Sequence, residues 1–559
     1  MKDARLTGAG RLALPIRSEF AVLGVATFMA TALNIAFWRQ LHAAVAPQSA
    51  YEYLFLAATL VLGVGLLMLF LGLFAIRPIL KPVITLFLLV SSALAYFISE
   101  YGIVIDYTMI RNIIETNAGE TADLLTRKLA LYVLALGVLP AALLWSCTIL
   151  YRPFWQEVRF KLQSGLAVVA IIAVSAAPFA QNLASVFREH RLLLDAFVPL
   201  NVLTGIAEYG RKSMKAGEGA RVPFAEDAHR AAVGPERRRK SLTVIVVGET
   251  ARAANFSLNG YARETNPLLG KVPGLISYSQ AFSCGTSTAQ SLPCMFSGRG
   301  RAAYARQRRV SQDGLLQILQ RVGFSVLWRE NQGGCVGVCK DIPTEMMAGA
   351  GSRALFELGK SLDENLLAGL PEKIAAMPGD AVVVLHMMGS HGPAYHKRYP
   401  AAFERFQPAC KESQFSRCEL SEIINSYDNT IAYSDYVLAG LLEMLQARDA
   451  ADGPSAMIYV SDHGESLGEG NLYLHGLPYA LAPDVQKHIP LLLWLSPKYQ
   501  ADTKIDTECL ERHRHEPVSH DNLFHSVLGL LDVRTSVYDD KLDVFSRCRG
   551  VLAKVRAGN

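Results

Sequence analysis

The sequence predicts a protein of two halves, a membrane-spanning helical half followed by an α/β half. Two observations support this. Residues 1–190 are crowded with long uncharged apolar runs, whereas the rest of the chain alternates short apolar runs with polar and glycine-rich turns. We therefore expect a transmembrane domain over 1–187, an interfacial helix and linker over 188–240, and a soluble α/β domain over 241–559.

The first half contains five stretches of about 20 residues that are nearly free of charge, which is the length needed to cross a hydrocarbon core of about 30 Å. These predicted spans are 20–38, 53–76, 82–99, 129–150 and 164–187. Lysine and arginine are more frequent on the side that holds the amino terminus, which predicts a cytoplasmic amino terminus. With five spans, residues 188–559 lie outside the cytoplasm. The first span is long for a signal peptide and predicts an uncleaved anchor.

The segment after the last span mixes apolar and polar residues. Residues 192–209 suit a helix in the membrane interface, and 211–233 suit a flexible bridge. The formal net charge of +5 decides little about partners, and no nucleic acid is expected.

Cysteine placement agrees with this topology. Eight of the nine cysteines follow the spans, an even number that indicates disulfides in an oxidising compartment. Zinc ligation by cysteine is disfavoured because no CxxC pair occurs. Closure between near neighbours predicts four disulfides: Cys284–Cys294, Cys335–Cys339, Cys410–Cys418 and Cys509–Cys548.

Two strand-like runs end in metal-binding side chains. The β-branched run before Glu249 and the run before Asp462 and His463 read as parallel strands buried on both faces. Open α/β sheets bind ligands at the carboxyl ends of their strands, so these three residues are expected to converge. Two carboxylates and an imidazole suit zinc or a comparable divalent ion with an open position for catalysis.

A hydroxyl cluster between two cysteines provides the candidate nucleophile. Thr286, Ser287 and Thr288 lie between Cys284 and Cys294. A hydroxyl is a weak nucleophile unless a metal or a base activates it, and a disulfide would hold this loop rigid. The residues alone do not choose among the three.

Three histidines follow strand-like or loop segments in the same half. His386, His391 and His475 are candidates to bind a phosphate, to bind a second metal, or to act as acid and base.

Together, these motifs resemble those of the lipid A phosphoethanolamine transferases, the group that includes the mobile colistin resistance enzymes, in the alkaline phosphatase/sulfatase superfamily. The similarity covers nearly the whole chain. The motifs that carry it are Val-Gly-Glu249-Thr-Ala-Arg, Asn255-Phe-Ser-Leu-Asn-Gly-Tyr, Cys-Gly-Thr-Ser-Thr288, His386-Met-Met-Gly-Ser-His391-Gly-Pro, Tyr427-Asp-Asn-Thr and Ser-Asp462-His463-Gly-Glu-Ser.

The resemblance implies an alkaline-phosphatase-like α/β fold in the periplasm and one or two zinc ions. The implied ligands of the first zinc are Glu249, Thr288, Asp462 and His463. Thr288 is the implied nucleophile, which becomes modified with phosphoethanolamine, and His391 and His475 are implied to act with it on the phosphate or to hold the second zinc.

The implied substrate-binding residues lie in both halves. In the membrane half they are Asn112, Thr116 and Glu120, whose spacing would place them on one helix face. In the α/β half they are His386, His391, His475 and Gln332. The last is a departure, because related enzymes often carry asparagine there and lysine at the position of Val336. Arg329 or Lys340 is the candidate to supply the missing positive charge.

The implied activity is zinc-dependent transfer of phosphoethanolamine from phosphatidylethanolamine to lipid A at the bacterial inner membrane, by a monomer, with resistance to polymyxin and other cationic peptides. Rival acceptors are a lipopolysaccharide core sugar, Kdo or a periplasmic glucan. Two further alternatives stay open. One is another membrane-anchored member of the superfamily, such as a sulfatase or a glycerophosphate transferase, although the segment after Cys294 lacks the proline that sulfatases need. The other is an inactive binding protein that kept the fold.

Overall fold

The structure is a computed structural model, and it describes residues 14–103, 105, 109–110, 113, 124–189, 193, 196–216, 224–231, 240–306, 312–332, 334–347, 362–413, 415–451 and 453–550. The described residues form two compact units. The first is built from residues up to 110 and from 125 to 209, and the second mainly from those after 209.

The first unit is almost entirely helical because its sequence is dominated by long apolar runs, and a helix satisfies the backbone hydrogen bonds of such a run internally. Its described helices are Ser18–Ala32, Ile35–Val45, Ala50–Gly72, Leu80–Tyr101, Arg127–Tyr132, Leu139–Ser146, Phe154–Ala176, Ala180–Glu189 and Leu200–Ala216. The last of these continues past residue 209, where the first unit ends. A π-helical segment, Val133–Val138, joins two of them. Two short strands, β1 (Pro15–Arg17) and β2 (Thr148–Leu150), pair in parallel.

Four helical stretches of the described chain have the length and composition to cross a membrane: Ala50–Gly72, Leu80–Tyr101, Arg127–Ser146 and Phe154–Leu183. The pair Ser18–Ala32 and Ile35–Val45, bent by 59°, makes a fifth if the two count as one span. This order agrees with the five predicted spans, with the first of them broken by the bend.

The last span differs most from its prediction, because its helix begins at Phe154 rather than at 164. The added turns carry charged residues that an apolar window excludes. In the structure these charges are paired: Glu157 lies 3.5 Å from Arg152 and 3.6 Å from Lys161, and accepts a hydrogen bond of 2.9 Å from Ser18. Pairing lets the helix continue through them.

The second unit is built on an eight-stranded sheet in the order β13-β5-β12-β9-β4-β8-β6-β7. All its neighbouring strands are parallel except β12, which is antiparallel to both β5 and β9. Among the described residues of this unit, two further antiparallel pairs of two-residue strands form, β10 with β11 and β3 with β14. The strands are β3 (His229–Arg230), β4 (Leu242–Gly248), β5 (Ile276–Phe282), β6 (Ser325–Glu330), β7 (Thr344–Met346), β8 (Ala381–His386), β9 (Ser455–Ser461), β10 (Ser466–Leu467), β11 (Tyr473–Leu474), β12 (His488–Leu495), β13 (Val518–Ser519) and β14 (Val533–Arg534).

The two strands predicted to carry metal ligands lie side by side. β4 and β9 are parallel neighbours, with Val247 opposite Val460 and Gly248 opposite Ser461. Every residue of both strands is buried, as expected for strands covered on both faces. Glu249 and Asp462 therefore leave the sheet at the same edge.

Helices cover the sheet and complete its core. They are Thr288–Met295, Gly300–Arg306, Leu315–Arg321, Leu370–Ala376, Leu420–Ala450, Pro497–Thr503, Thr507–His513 and His520–Leu530. The longest, Leu420–Ala450, buries the Tyr427–Thr430 motif.

The structure forms the four disulfides expected from local closure: Cys284–Cys294, Cys335–Cys339, Cys410–Cys418 and Cys509–Cys548. The remaining cysteine, Cys147, is free and lies in the helical unit. The loop that carries the hydroxyl cluster is thus closed by the first bridge.

Candidate functional site

The ends of β4 and β9 bring Glu249, Asp462 and His463 together. All three side chains are fully buried. The Nε2 atom of His463 lies 3.4 Å from Glu249 Oε1 and 3.4 Å from Asp462 Oδ2. One ligand atom from each residue lies within 4.8 Å of the others, which is the size of a metal site.

Of the three candidate hydroxyls, Thr288 reaches this cluster. Its Oγ1 donates toward both carboxylate oxygens of Glu249, at 3.2 and 3.1 Å, and lies 3.5 Å from His463 Nε2. Thr286 instead donates to the backbone carbonyl of Leu477 at 2.5 Å. Among the described residues, no partner contacts the buried hydroxyl of Ser287. The geometry therefore favours Thr288 as the reactive hydroxyl.

The loop that precedes Thr288 is fixed from several sides. Cys284 is bridged to Cys294 within the helix that Thr288 begins. The Gly285 N–H donates to Ser291 Oγ at 2.9 Å, inside the same helix. These contacts fix the position of the Thr288 hydroxyl, as preorganised sites require.

The turn after Glu249 is strained and is held by two partners. Thr250 has a φ of 51°, which a β-branched residue rarely adopts. Its N–H donates to Asp462 Oδ1 at 3.2 Å, and its carbonyl accepts from the Tyr427 hydroxyl at 2.7 Å. Such strain persists only where surrounding contacts impose it, and here it directs Glu249 toward Asp462.

The loop from His386 to His391 packs directly on Glu249. A Cβ at Gly389 would lie 2.6 Å from the Glu249 carbonyl oxygen, so only glycine fits there. The buried Asp363 carboxylate accepts the N–H groups of Met388 and Gly389 at 2.7 and 2.8 Å. His386 is fully buried, with Nδ1 3.1 Å from the Glu330 carboxylate.

His475 and His391 lie beside the cluster. The His475 ring is 4.3 Å from that of His463 and 5.6 Å from that of His391, centre to centre. Its Nδ1 is 3.1 Å from Glu465 Oε1, and the Tyr395 hydroxyl donates to Glu465 Oε2 at 3.2 Å. A carboxylate partner places the proton on Nδ1 and leaves Nε2 as the acceptor nitrogen.

Gln332 contacts Glu249 directly, since its amide nitrogen donates to Glu249 Oε2 at 2.7 Å. Arg329, one candidate to replace the charge missing at Val336, does not serve that role. Its guanidinium is buried, donates to the carbonyls of Leu366 and Ala368, and pairs with Glu345 at 2.9 Å. These contacts hold the Arg329 side chain beside its own strand, which favours Lys340, the other candidate from the sequence.

Burial and mutual charge set the protonation of the cluster. Burial and the neighbouring Asp462 carboxylate raise the pKa of Glu249 to about 8. Burial acts to lower the pKa of His463, but the Asp462 and Glu249 carboxylates outweigh it and raise that pKa to about 9. Without a cation, both groups therefore hold a proton more tightly than they would in water.

The same three residues fit a divalent metal ion. Two buried carboxylates side by side repel each other unless a positive charge lies between them. Among the described residues, no hydrogen bond satisfies the buried Asp462 Oδ2, although His463 Nε2 lies 3.4 Å from it. An ion bound by Glu249, Asp462 and His463 would satisfy that oxygen and neutralise the repulsion.

We expect zinc binding to release protons and to strengthen as pH rises toward 9. Below their pKa values of about 8 and about 9, Glu249 and His463 must each lose a proton before they can bind a metal. The affinity should then rise by about tenfold per pH unit for each proton released. Chelator competition on either side of pH 8 measures this. An affinity independent of pH would contradict a site made of these two groups.

Several site residues were not assigned a role from sequence. Glu465 stands three residues after Asp462, within the motif Ser-Asp462-His463-Gly-Glu-Ser, yet only the fold shows that it holds His475. Tyr395, Asp363 and His520 carry no local pattern that marks them. Asn112, Thr116 and Glu120 lie outside the described residues.

Comparison with known families supports the class that the fold and site define. Residues 241–533 match the family described as Sulfatase. In this domain, the parallel strands of the sheet place Glu249, Asp462, His463 and the Thr288 hydroxyl together at their carboxyl ends. The second unit is therefore a sulfatase-like domain of the alkaline phosphatase superfamily.

The full chain narrows this class to one family. Residues 63–214 match the family described as Phosphoethanolamine transferase EptA/EptB. The chain is 39% identical over 538 residues to phosphoethanolamine transferase EptA of Escherichia coli K12, covering 95% of this chain and 97% of that protein. It is 34% identical over 529 residues to phosphatidylethanolamine transferase Mcr-1 of Escherichia coli, covering 93% and 96%.

A solved structure agrees along the whole length. The integral membrane protein lipooligosaccharide phosphoethanolamine transferase A of Neisseria meningitidis aligns with a TM-score of 0.92 at 33% identity, covering 96% of this chain and 99% of that one. The chain belongs to the phosphoethanolamine transferase family, and it is an enzyme of that family with a helical membrane unit and a sulfatase-like unit.

Proposed function

We propose that this enzyme transfers phosphoethanolamine from phosphatidylethanolamine to lipid A through a covalent intermediate on Thr288. The observation that carries the proposal is the position of the Thr288 hydroxyl, 3.1 and 3.2 Å from the two Glu249 carboxylate oxygens and 3.5 Å from His463 Nε2. Among the three candidate hydroxyls, only this one lies within the candidate metal cluster.

Glu249, Asp462, His463 and Thr288 are the residues that would hold one zinc ion. A bound zinc lowers the pKa of a coordinated hydroxyl and stabilises negative charge on phosphoryl oxygens. The strained turn at Thr250 and the Asp363 contacts hold the protein ligands in place.

In the first half-reaction, Thr288 Oγ1 attacks the phosphorus of phosphatidylethanolamine. The Oγ1–phosphorus bond forms, and the bond from phosphorus to the diacylglycerol oxygen breaks. We assign His475 Nε2 to accept the hydroxyl proton of Thr288, and His391 to deliver a proton to the oxygen of the leaving diacylglycerol. The disulfide-closed loop holds Oγ1 for in-line attack, which reduces the entropic cost of the reaction.

In the second half-reaction, a phosphate oxygen of lipid A attacks the same phosphorus. The new oxygen–phosphorus bond forms while the bond from phosphorus to Thr288 Oγ1 breaks. The protonated His475 returns its proton to Oγ1, and His391 regains its proton from solvent. Glu465 holds His475 through Nδ1, so Nε2 is the nitrogen that is left to carry a proton between the two half-reactions. The attacking phosphate oxygen of lipid A is already anionic, so its attack needs no strong base.

We further infer that the enzyme acts as a monomer in the bacterial inner membrane, with its second unit in the periplasm. Four disulfides in that unit suit an oxidising compartment. Both substrates are amphiphiles anchored in the bilayer, so the helical unit would hold the enzyme at the membrane where they occur. An added ammonium group reduces the negative charge of lipid A and so weakens binding of polymyxin.

A sulfatase reaction is disfavoured by one observation. Formylglycine formation starts from a free cysteine or serine, whereas Cys294 is bonded to Cys284. A separate comparison bears on the acceptor, lipid A or a sugar of the lipopolysaccharide core. Proteins named Kdo(2)-lipid A phosphoethanolamine 7''-transferase are more distant, at 27% identity, which supports lipid A over a sugar of the core.

A mass spectrum of lipid A tests the proposal. A polymyxin-sensitive Gram-negative host would express the intact chain or its Thr288→Ala variant. We expect one phosphoethanolamine adduct on lipid A with the intact chain and none with the variant at equal expression. Unmodified lipid A, with the adduct on core sugars or glucans instead, would contradict the assigned acceptor.

A further inference from the structure

His520 occupies a position that the reaction described above does not use. It follows β13 directly, begins the helix His520–Leu530, and is 1% exposed. β13 is parallel to β5, with Ser519 opposite Phe282. His520 and the loop that follows β5 therefore emerge at the same edge of the sheet, beside the hydroxyl cluster.

Both ring nitrogens of His520 bond to backbone groups of the site. The Cys284 N–H donates to Nδ1 at 3.0 Å, and Nε2 lies 2.9 Å from the Ser461 carbonyl oxygen. A carbonyl can only accept and an amide can only donate, so the ring is neutral with its proton on Nε2. Burial lowers the pKa of His520 to about 4, which agrees with this neutral form.

Ser461 is the point where the metal-binding segments meet. It is the last residue of β9 and stands immediately before Asp462. Its hydroxyl donates to the His463 carbonyl at 2.9 Å and accepts from the Ala251 N–H at 2.9 Å. A group bonded to Ser461 is thereby tied to both ligand-bearing turns.

Cys284 is the corresponding point on the nucleophile side. Its side chain is bridged to Cys294, inside the helix that begins at Thr288. Its buried N–H has His520 as its acceptor, and the next N–H, of Gly285, is held by Ser291. The order β13-β5-β12-β9 places β12 between this loop and β9. His520 spans that separation.

We propose that His520 is a positioning residue, which sets the distance between Thr288 and the metal ligands by bonding the nucleophile loop to the end of β9. The inference rests on the proposed function in taking Thr288 as nucleophile. Its expected signature is a loss in kcat, because a displacement of the nucleophile impairs attack without removing a contact to substrate or metal.

The test uses purified full-length enzyme in detergent micelles with phosphatidylethanolamine and lipid A. His520→Ala should lower kcat by about 100-fold, the effect of a displacement near 1 Å, while KM and zinc content stay near wild type. His520→Asn keeps an acceptor for Cys284, and His520→Gln keeps a donor for Ser461. Each should recover part of the rate lost in His520→Ala.

His525 supplies the matched control. It lies on the same helix, is 4% exposed, and accepts the Asp539 N–H at its Nδ1 over 3.0 Å, away from the candidate site. His525→Ala and His525→Gln should leave kcat close to wild type in the folded fraction. A rate loss in His525→Ala equal to that in His520→Ala would show a structural role and overturn the proposal.

The assay separates this proposal from the proposed function. If the intact enzyme turns over but never carries phosphoethanolamine on Thr288, the intermediate fails, while the kcat comparison at His520 stays readable. Full kcat in a folded His520→Ala enzyme, or a change confined to KM or zinc content, would overturn the positioning role even if the intermediate is found.

Discussion

Replacing Thr288 by alanine is expected to abolish phosphoethanolamine transfer. The variant lacks the oxygen that lies 3.1 and 3.2 Å from the Glu249 carboxylate, so no covalent intermediate forms. Removing a nucleophile that works as a unit with its neighbours lowers kcat by about 10⁴-fold or more. Turnover of a fluorescent phosphatidylethanolamine by the purified enzyme measures the loss.

Conservative and neighbouring variants make this result specific. Thr288→Ser keeps the hydroxyl and should retain measurable turnover. Ser287→Ala removes an adjacent hydroxyl that, among the described residues, has no hydrogen-bond partner, and it should stay active. Turnover in Thr288→Ala near the wild-type rate, or its loss in Ser287→Ala alone, would assign the nucleophile elsewhere.

Replacing Glu249 by glutamine is expected to remove the zinc site. The change deletes one of two buried carboxylates and leaves Asp462 and His463 as the remaining strong ligands. Removing only a hydrogen-bond partner of a metal ligand commonly lowers metal affinity by about 10–100-fold, so removing a ligand itself should lower it by about 100-fold or more. Zinc content of the purified protein and chelator competition measure it.

Thermal unfolding gives a second readout, because the variant should be less stable than wild type with zinc but no less stable without it. Zinc at about 1,000 times its dissociation constant stabilises the wild-type fold by about 4 kcal/mol, and the variant should lose most of this gain. Without metal, Glu249→Gln should be no less stable than wild type, because it removes a buried carboxylate beside Asp462. Glu345→Gln, outside the site, is the control. Equal zinc stabilisation of Glu249→Gln and wild type would contradict the assignment.

The convergence of Glu249, Asp462 and His463 was predictable because its signal is local. A run of β-branched residues ending in Glu249 and another ending in Asp462 each indicate a buried strand, and parallel strands share one carboxyl edge. The structure pairs β4 with β9 in that register. Pairing each cysteine with its neighbour in sequence order likewise predicted the four bridges that the structure forms.

Other features depend on contacts that sequence spacing does not encode. The choice of Thr288 over Thr286 depends on which hydroxyl faces Glu249, and Leu477, far along the chain, engages Thr286. His520 and Glu465 act on groups from distant segments. Arg329 looked available as a cation, but its strand position buries it against Glu345 and two carbonyls.

In the helical unit, too, some features were predictable from the sequence and others depend on tertiary contacts. Apolar length predicts where spans occur, but it predicts their ends poorly where charges are paired. Glu157 lies in the first turn of its helix and bonds to Ser18, a contact between segments remote in sequence. The bend of 59° in the first span is another tertiary feature.

The central claim is that Thr288 carries phosphoethanolamine between two lipids. The most direct measurement is an intact-protein and peptide mass spectrum of the full-length enzyme after incubation with phosphatidylethanolamine alone, and again after lipid A is added. We expect one phosphoethanolamine group on the peptide that contains Thr288, discharged when lipid A is added. An unmodified Thr288 in enzyme that still transfers phosphoethanolamine, or an adduct that lipid A does not remove, would contradict the account.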